Sequence, residues 1–269
     1  MQQTQDRFNF VSRLKAVYPM MLDFHPVEKR LTSRDAAAFQ IQSWIINRSY
    51  FDEIFSESLL RSLLAAPKNH IYQKWTSKVI ACLSGFTIES PWVDVCEKVG
   101  LKKSDIKSHT LNLPVSRLIA NSLKQTCDRL DWRINLLLAS AFLIGQRKSS
   151  YMLSLISRQP ESVIKTADVR KFDGNSTELE ATLELIESIG AEILKNKDQV
   201  AELFSSFQFL IESNWMLCDG MYMELFASPS YADDTKSDSE GNPKNVKVAD
   251  AVDQSLNFVR NKATAEFLG

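Results

Sequence analysis

The longest helix predicted from this sequence is DAAAFQIQSWIINRSYFDEIFSESLLRSLLA, residues 35–65. Apolar residues recur along it at helical spacing, which predicts a helix with at least one buried face. Thr32 and Ser33 lie just before it and are residue types that commonly begin helices. Pro67 disfavours helical backbone in the residue before it, so we expect the helix to end near Ala65.

Most of the remaining chain has the same helical character. Apolar residues at a 3.6-residue period, together with Pro114 as a helix-starting residue, predict further helices. These are at about residues 7–20, 69–84, 91–99, 114–128, 131–156 with a bend at Gly145, 177–193, 198–226 and 249–267. We expect 101–112 to be a loop with a short helix from Ser104, and 157–175 to be irregular. No convincing strand pattern occurs, so the predicted fold class is all-α.

Composition divides the chain into three parts and excludes some functions. The predicted parts are a helical domain at 1–226, a polar flexible linker at 227–248 and a C-terminal helix at 249–269 that packs on the body or on a partner chain. A net charge of −1 gives no basic excess, so nucleic acid and anionic membrane are not expected partners. The longest apolar run, 134–144, is too short to cross a membrane.

The four cysteines and the N-terminus indicate a cytoplasmic protein. No CxxC pair is present, so a zinc knuckle is not expected, and buried thiols in a reducing compartment are the simplest interpretation. Residues 1–6 are polar and have no apolar signal region. The cysteines are Cys82, Cys96, Cys127 and Cys218.

Residues 25–48, HPVEKRLTSRDAAAFQIQSWIINR, resemble the N-terminal signature of the pyrroloquinoline-quinone synthases (PqqC), which belong with TenA proteins to the heme-oxygenase-like superfamily. The matching positions are His25, Pro26, Gln40, Ile41, Gln42, Trp44, Asn47, Arg48 and Tyr50. Further matches follow in the same order: Lys74, Trp75, Val99, Gly100, Leu101, Leu113, Pro114, Gln208, Phe209, Trp215, Asp219 and Met221. The resemblance covers roughly residues 8–226 and implies a helical bundle around a central cavity, usually dimeric.

The resemblance also implies that most of the pocket chemistry of PqqC is lost. PqqC resembles a cofactor-free oxidase whose pocket binds an anionic quinone precursor. Arg48 keeps the arginine of the Asn-Arg motif, whereas the tyrosine and glutamine after it become Phe51 and Asp52, with Tyr50 as a neighbouring aromatic residue. Arg147 or Lys148 occupies the region of a late histidine.

Other family positions become apolar or small residues. Two histidines, a tyrosine and a lysine of the family fall at Leu22, Cys82, Leu123 and Leu210, respectively. Leucine cannot exchange protons near neutral pH or pair a buried carboxylate. We therefore expect a degenerate catalytic set without PQQ-synthase activity. The candidate ligand-binding residues are Arg48, Tyr50, Phe51, Asp52, Cys82, Leu22, Leu123 and Leu210.

Several of these candidates have a plainer interpretation. Arg48 points inward to a ligand, or it forms an ion pair with Asp52 four residues later. Asp52 and Glu53 accept a cationic ligand, or they are solvated on the helix surface. Cys82 faces the cavity as a reactive group, or it fills apolar space.

The histidines do not predict a metal site. Only His25, His70 and His109 occur, and the Glu-x6-His and His-x3-Asp spacings of the iron-using relatives are missing. We expect no metal and no cofactor. Possible partners are a small-molecule ligand and a second chain, in a homodimer or in a heterodimer with a paralogue.

Three functions remain open from the sequence. The first is a non-catalytic or divergent member of the family that binds a small molecule. The second is an oxidoreductase of the heme-oxygenase-like superfamily that acts on an unidentified small or peptide-derived substrate. The third, which the sequence favours least, is a TenA-like hydrolase with a nucleophilic cysteine at Cys82, Cys127 or Cys218.

Overall fold

The computed structural model describes residues 24–33, 36–68, 72–87, 90–159, 162–169 and 197–225. Within these ranges the regular structure is helical and no strand occurs. The helices are α1 (Pro26–Leu31), α2 (Ala38–Leu64), α3 (Gln73–Thr87), α4 (Pro91–Lys98), α5 (Lys103–Ser108), α6 (Pro114–Arg129), α7 (Trp132–Ser157), α8 (Thr166–Val169) and α9 (Lys197–Leu225). The predicted all-α fold class is therefore confirmed.

Helix α2 lies at the centre of this bundle. Every residue from 44 to 52 is buried, which is more than two turns, so all sides of the helix are covered. The neighbouring helices that cover it are α3, α4, α6, α7 and α9. The polar residues of the stretch 44–52 are therefore buried among apolar side chains such as Phe51. Each of them needs hydrogen-bond or ion-pair partners inside the protein.

The start of the described chain differs from the sequence prediction. Thr32 and Ser33 were expected to begin a helix, but they end α1: their hydroxyls donate to the backbone carbonyls of Lys29 and Arg30. His25 begins α1 instead, because its Nδ1 accepts the backbone N–H of Val27 at 3.1 Å. Proline at the next position needs no N–H partner, so the His-Pro pair is itself the start signal.

Two glycines fix the ends and the packing of helices. Gly100 follows α4 with a φ of 87°, and the N–H of Leu101 reaches back to the carbonyl of Cys96 at 3.0 Å, a Schellman motif. Gly220 lets α9 approach α6 closely, since a Cβ at this position would lie 2.3 Å from a methyl carbon of Val115. Neither position tolerates a side chain without strain.

The other predicted elements agree with the structure to within a few residues, with one addition. The short helix α8 lies inside the stretch 157–175 that was expected to be irregular, and α7 is one helix through Gly145. The helices predicted at 7–20, 177–193 and 249–267 and the linker at 227–248 lie outside the described residues. The division into three parts stays a prediction.

One stretch, Gln73–Lys98, which the structure describes except for residues 88 and 89, is long and apolar enough to cross a membrane by length and composition. It comprises α3 and α4. Val79, Leu83, Trp92 and Cys96 within it are buried against the rest of the bundle. The core helix of a folded domain passes the same test, so this segment is weak evidence for a membrane span.

Candidate functional site

A small pocket lies between α2, α7 and α9, the three longest described helices. Its cavity volume is about 10 Å³, which is room for about one water. The lining residues are Arg48, Phe51, Phe142, Gly145, Lys148, Leu210 and Asn214. This pocket is thus nearly filled, and an occupant larger than water requires its lining side chains to move.

Arg48 is the buried cation on the α2 side of this pocket. Its Nη1 donates to Oδ1 of Asn214 at 2.6 Å, its Nη2 lies 3.0 Å from Oδ1 of Asp52, and its guanidinium carbon lies 5.2 Å from the ring centre of Phe51. Its Nε is buried and has no hydrogen-bond partner. Both interpretations of Arg48 therefore hold together: it faces inward and it is paired with Asp52.

Asp52 is fully buried and is surrounded by side chains from three helices. Trp92 on α4 donates its Nε1–H to Oδ2 at 2.9 Å, and Arg48 on α2 faces Oδ1. Burial raises the pKa of the Asp52 carboxyl, while Arg48, Gln146 on α7 and Trp92 act in the opposite direction. Asp52 is thus an internal counterion of Arg48 and has no contact with solvent.

Lys148 supplies a second cation to the pocket from α7. Its Nζ lies 2.5 Å from Oε2 of Glu28, a buried carboxylate on α1. The same carboxylate oxygen accepts the backbone N–H of His25 at 2.9 Å, which completes the cap of α1. Each pocket cation therefore already has a carboxylate partner from within the chain.

His25 and Asp219 form a third polar contact near the pocket. Nε2 of His25 lies 2.9 Å from Oδ1 of Asp219, and the His25 ring packs edge-on against Trp215 at 4.9 Å between ring centres. Because Nδ1 accepts a backbone N–H from Val27, neutral His25 carries its proton on Nε2 and donates it to Asp219. Nδ1 thus caps α1, and Nε2 joins α1 to α9.

The buried thiols do not have the character of nucleophiles. Burial raises the pKa of Cys96 and of Cys127 to about 12. It raises the pKa of Cys218 well above its ordinary value, although the charges of Lys148 and Arg48 oppose this effect. The thiolate is the reactive form, so these thiols are unreactive at neutral pH.

Of the residues predicted from the family resemblance, three line the pocket: Arg48, Phe51 and Leu210. Asp52 lies behind Arg48. The other candidates are elsewhere: Tyr50 packs on the ring of His109 at 4.8 Å, Leu123 is buried on α6, and Cys82 is half-buried on α3. Leu22 lies outside the described residues.

Sequence reasoning did not assign Phe142, Gly145 or Asn214 to the site, and it named Lys148 only as one of two residues in that region. A signal was present, because Gln146 and Lys148 interrupt an apolar stretch of α7 that begins at Ile134. Polar residues in the middle of a buried helix destabilise the fold unless they form a hydrogen bond or an ion pair. Spacing alone could not show which side of α7 faces α2.

Many positions that carry the family resemblance contact one another. His25 meets Asp219, and the side-chain amide of Gln42 donates to the backbone carbonyl of Val99. Oδ1 of Asn47 accepts the backbone N–H of Leu113 at 2.8 Å. These pairs join α1 to α9, α2 to the end of α4, and α2 to the start of α6, so the matched residues form a packing framework.

Among the described residues, no group of three or more histidines, cysteines or acids is placed to hold a metal ion. The two cations of the pocket, Arg48 and Lys148, are instead paired with Asp52 and Glu28. The site is a small pocket with two cations, three aromatic or aliphatic side chains and internal counterions.

Comparison with known proteins gives a distant relationship. The chain is 22% identical over 220 residues to a pyrroloquinoline-quinone synthase of Ectopseudomonas mendocina (strain ymp), which covers 80% of this chain and 86% of that protein. It is 24% identical over 113 residues to a pyrroloquinoline-quinone synthase of Acinetobacter baumannii (strain ACICU), 41% of this chain and 45% of that protein. No family model matches the chain.

These similarities and the helical architecture support one conclusion about class. The chain is a distant relative of the PQQ synthases with an all-α fold of the heme-oxygenase-like type.

Proposed function

We propose that this chain is a divergent relative of the PQQ synthases that binds a small molecule with a carboxylate group and does not synthesise PQQ. The supporting observation is the pocket between α2, α7 and α9, where Arg48 presents a buried Nε without a partner. A carboxylate suits this position because a guanidinium N–H forms a stronger, charge-assisted hydrogen bond with a carboxylate than with a neutral acceptor.

The apolar part of the lining favours binding over oxidation chemistry. Phe51, Phe142 and Leu210 can contact a flat apolar ligand, but none of them can transfer a proton. The described pocket lining contains no histidine, and Lys148 is already paired with Glu28. A ligand larger than water would have to displace these side chains, so binding is coupled to opening of the interior.

The test is calorimetric titration of the purified protein with three probes: pyrroloquinoline quinone, benzoate and pyridine-2,6-dicarboxylate. We expect at least one to bind and to raise the melting temperature. Arg48→Gln should weaken that binding by about ten-fold or more, since it removes charge-assisted hydrogen bonds. Arg61→Gln, which changes an exposed arginine of the same helix, should leave the affinity unchanged.

Two outcomes overturn the proposal: no probe binds the wild-type protein, or Arg48→Gln binds as tightly as wild type. If Arg48→Gln does not fold, as judged by circular dichroism, Lys148→Met provides the second test of the same pocket. A protein that binds none of the probes would fit a purely structural or scaffold role.

The alternative is an oxidoreductase of the same superfamily acting on an unidentified small or peptide-derived substrate. Its support is kinship with enzymes named as synthases. Oxygen consumption on incubation with candidate substrates, including the PQQ precursor, would favour it. A TenA-like hydrolase receives less support, because burial raises the pKa of three of the four thiols.

We also propose that the protein is cytoplasmic and that it acts as a homodimer or as a heterodimer with a paralogue. The near-neutral net charge and the four thiols outside any disulfide are consistent with a reducing compartment. Light scattering on a sizing column tests the assembly, since a homodimer has twice the chain mass of 30.6 kDa.

A further inference from the structure

Buried polar atoms without hydrogen bonds cluster beside the pocket. Nε of Arg48 and both amide atoms of Gln146 are buried and complete no hydrogen bond within the chain, and Oδ1 of Asp52 has only its ion pair with Arg48. The Gln146 amide is close enough to lower the pKa of Asp52, although its geometry falls outside that of a full hydrogen bond. Such atoms are rare in native proteins, and a cluster of them is a candidate place for a bound water or ligand.

The charge balance of this cluster depends on Asp52. The groups that face its carboxyl are Arg48 from α2, Trp92 from α4 and Gln146 from α7. Of these only Arg48 is charged, at 3.0 Å. The carboxyl is 0% exposed, so water cannot stabilise its negative charge if Arg48 pairs with another anion.

Other ionisable groups lie on the far side of Arg48. From α9, the Cys218 thiol is influenced by both Arg48 and Lys148, and its raised pKa keeps it protonated. From α1, Glu28 is paired with Lys148, and Asp219 of α9 is bonded to His25. From α3, α5 and α6, no ionisable group contributes a resolved effect on Asp52 among the described residues.

We propose that Asp52 is a proton-linked counterion of the pocket: when an anionic ligand binds at Arg48, Asp52 takes up a proton. This inference rests on the proposed function, since it requires a carboxylate ligand at Arg48. Two carboxylates that share one buried guanidinium repel each other, and the fully buried one is relieved by protonation. The ligand keeps its charge because it brings the stronger new contact to the free Nε.

Ligand affinity should depend on pH in a direction set by the pKa of Asp52. Ligand binding raises the pKa of Asp52 further. At pH values between the pKa of Asp52 in the free protein and its pKa in the complex, binding of one ligand is accompanied by the uptake of up to one proton. Within this window the dissociation constant rises with pH, by up to ten-fold per pH unit. Below and above the window, where Asp52 keeps the same state in both forms, the affinity is independent of this group.

The test uses the full chain and the tightest-binding of the three carboxylate probes. Titration calorimetry from pH 5.5 to 8.5, in two buffers with different heats of ionisation, counts the protons taken up per ligand. We expect uptake in the wild type and none in Asp52→Asn, whose amide keeps the size but cannot titrate. Glu57→Gln, an exposed carboxylate of the same helix, is the matched control and should retain the uptake.

Further variants keep the result decisive. Trp92→Phe removes the donor to Oδ2 but retains the carboxyl, so the window should move to higher pH; this variant serves if Asp52→Asn does not fold. Proton uptake that persists in Asp52→Asn, or a window that Trp92→Phe leaves in place, overturns the inference while the proposed function stands. If no probe binds the wild type at any pH, the proposed function fails and the inference fails with it.

Discussion

At the residue scale, two ion pairs on α2 have the same i, i+4 spacing but very different surroundings. Arg48 and Asp52 are buried, with side chains 10% and 0% exposed. Glu57 and Arg61, further along the same helix, are 52% and 56% exposed. The two pairs share their spacing but differ in burial and in the order of the charges along the helix, and burial is the larger difference because it removes solvent screening.

Arg48→Met should destabilise the protein by about 3 kcal/mol near pH 8, because it leaves the Asp52 carboxylate buried without a counterion. Arg61→Met, the matched control, should change the free energy of unfolding by less than about 0.5 kcal/mol, because solvent screens its pair. Urea unfolding of both variants measures the difference.

The pH dependence of that effect has a definite sign. Burial raises the pKa of Asp52 in the folded protein, and loss of Arg48 raises it further. At low pH the carboxyl is protonated and needs no counterion, so the cost of Arg48→Met should shrink as the pH falls towards 5. An equal cost at pH 8 and pH 5 would contradict this account of Asp52.

At the element scale, the family signature serves mainly to position helices. His25 begins α1 and reaches α9, Gln40 caps the backbone N–H of Ala37 at the start of α2, and Asn47 fixes the start of α6. Arg48 is the exception, because it lines the pocket. A chain can therefore keep this signature while its interior chemistry diverges.

Close packing of α9 on α6 makes Gly220 the critical glycine of the bundle. Gly220→Ala should destabilise the protein by about 1–3 kcal/mol, because the added Cβ would overlap the Val115 side chain. Gly85→Ala, in α3 with nothing within 4 Å of the new carbon, should instead stabilise it by up to about 1 kcal/mol through helix propensity. Thermal unfolding distinguishes the two; a stabilising Gly220→Ala would show that α9 packs differently.

At the scale of the whole molecule, burial ranks the four thiols. Cys96, Cys127 and Cys218 are buried, whereas Cys82 is half-buried, and none is in a disulfide. With Ellman's reagent at pH 8, one thiol should react rapidly in the native protein and the other three only as it unfolds. Cys82→Ser should abolish the rapid phase. More than one rapid phase in the wild type would mean that the bundle opens readily.

The amount of structure predictable from the sequence differs between the fold and the site. Helical periodicity and the prolines gave α2, α6 and α9 to within a few residues, because these signals are local. The start of α1 was missed, since a histidine that caps a helix is not recognised from residue type alone. For the site, the inward position of Arg48 and its pair with Asp52 were two alternatives from the sequence, and the burial of Asp52 was not expected.

The sequence by itself determined that the chain is all-α, where the longer described helices lie and that Arg48 has a carboxylate one turn away. These features depend on residues close together along the chain. Only the tertiary structure decided that Trp92 and Gln146 surround Asp52 and that Glu28 reaches Lys148. The physical reason is that such contacts depend on which sides of distant helices meet, and helical periodicity specifies a buried side without specifying its neighbour.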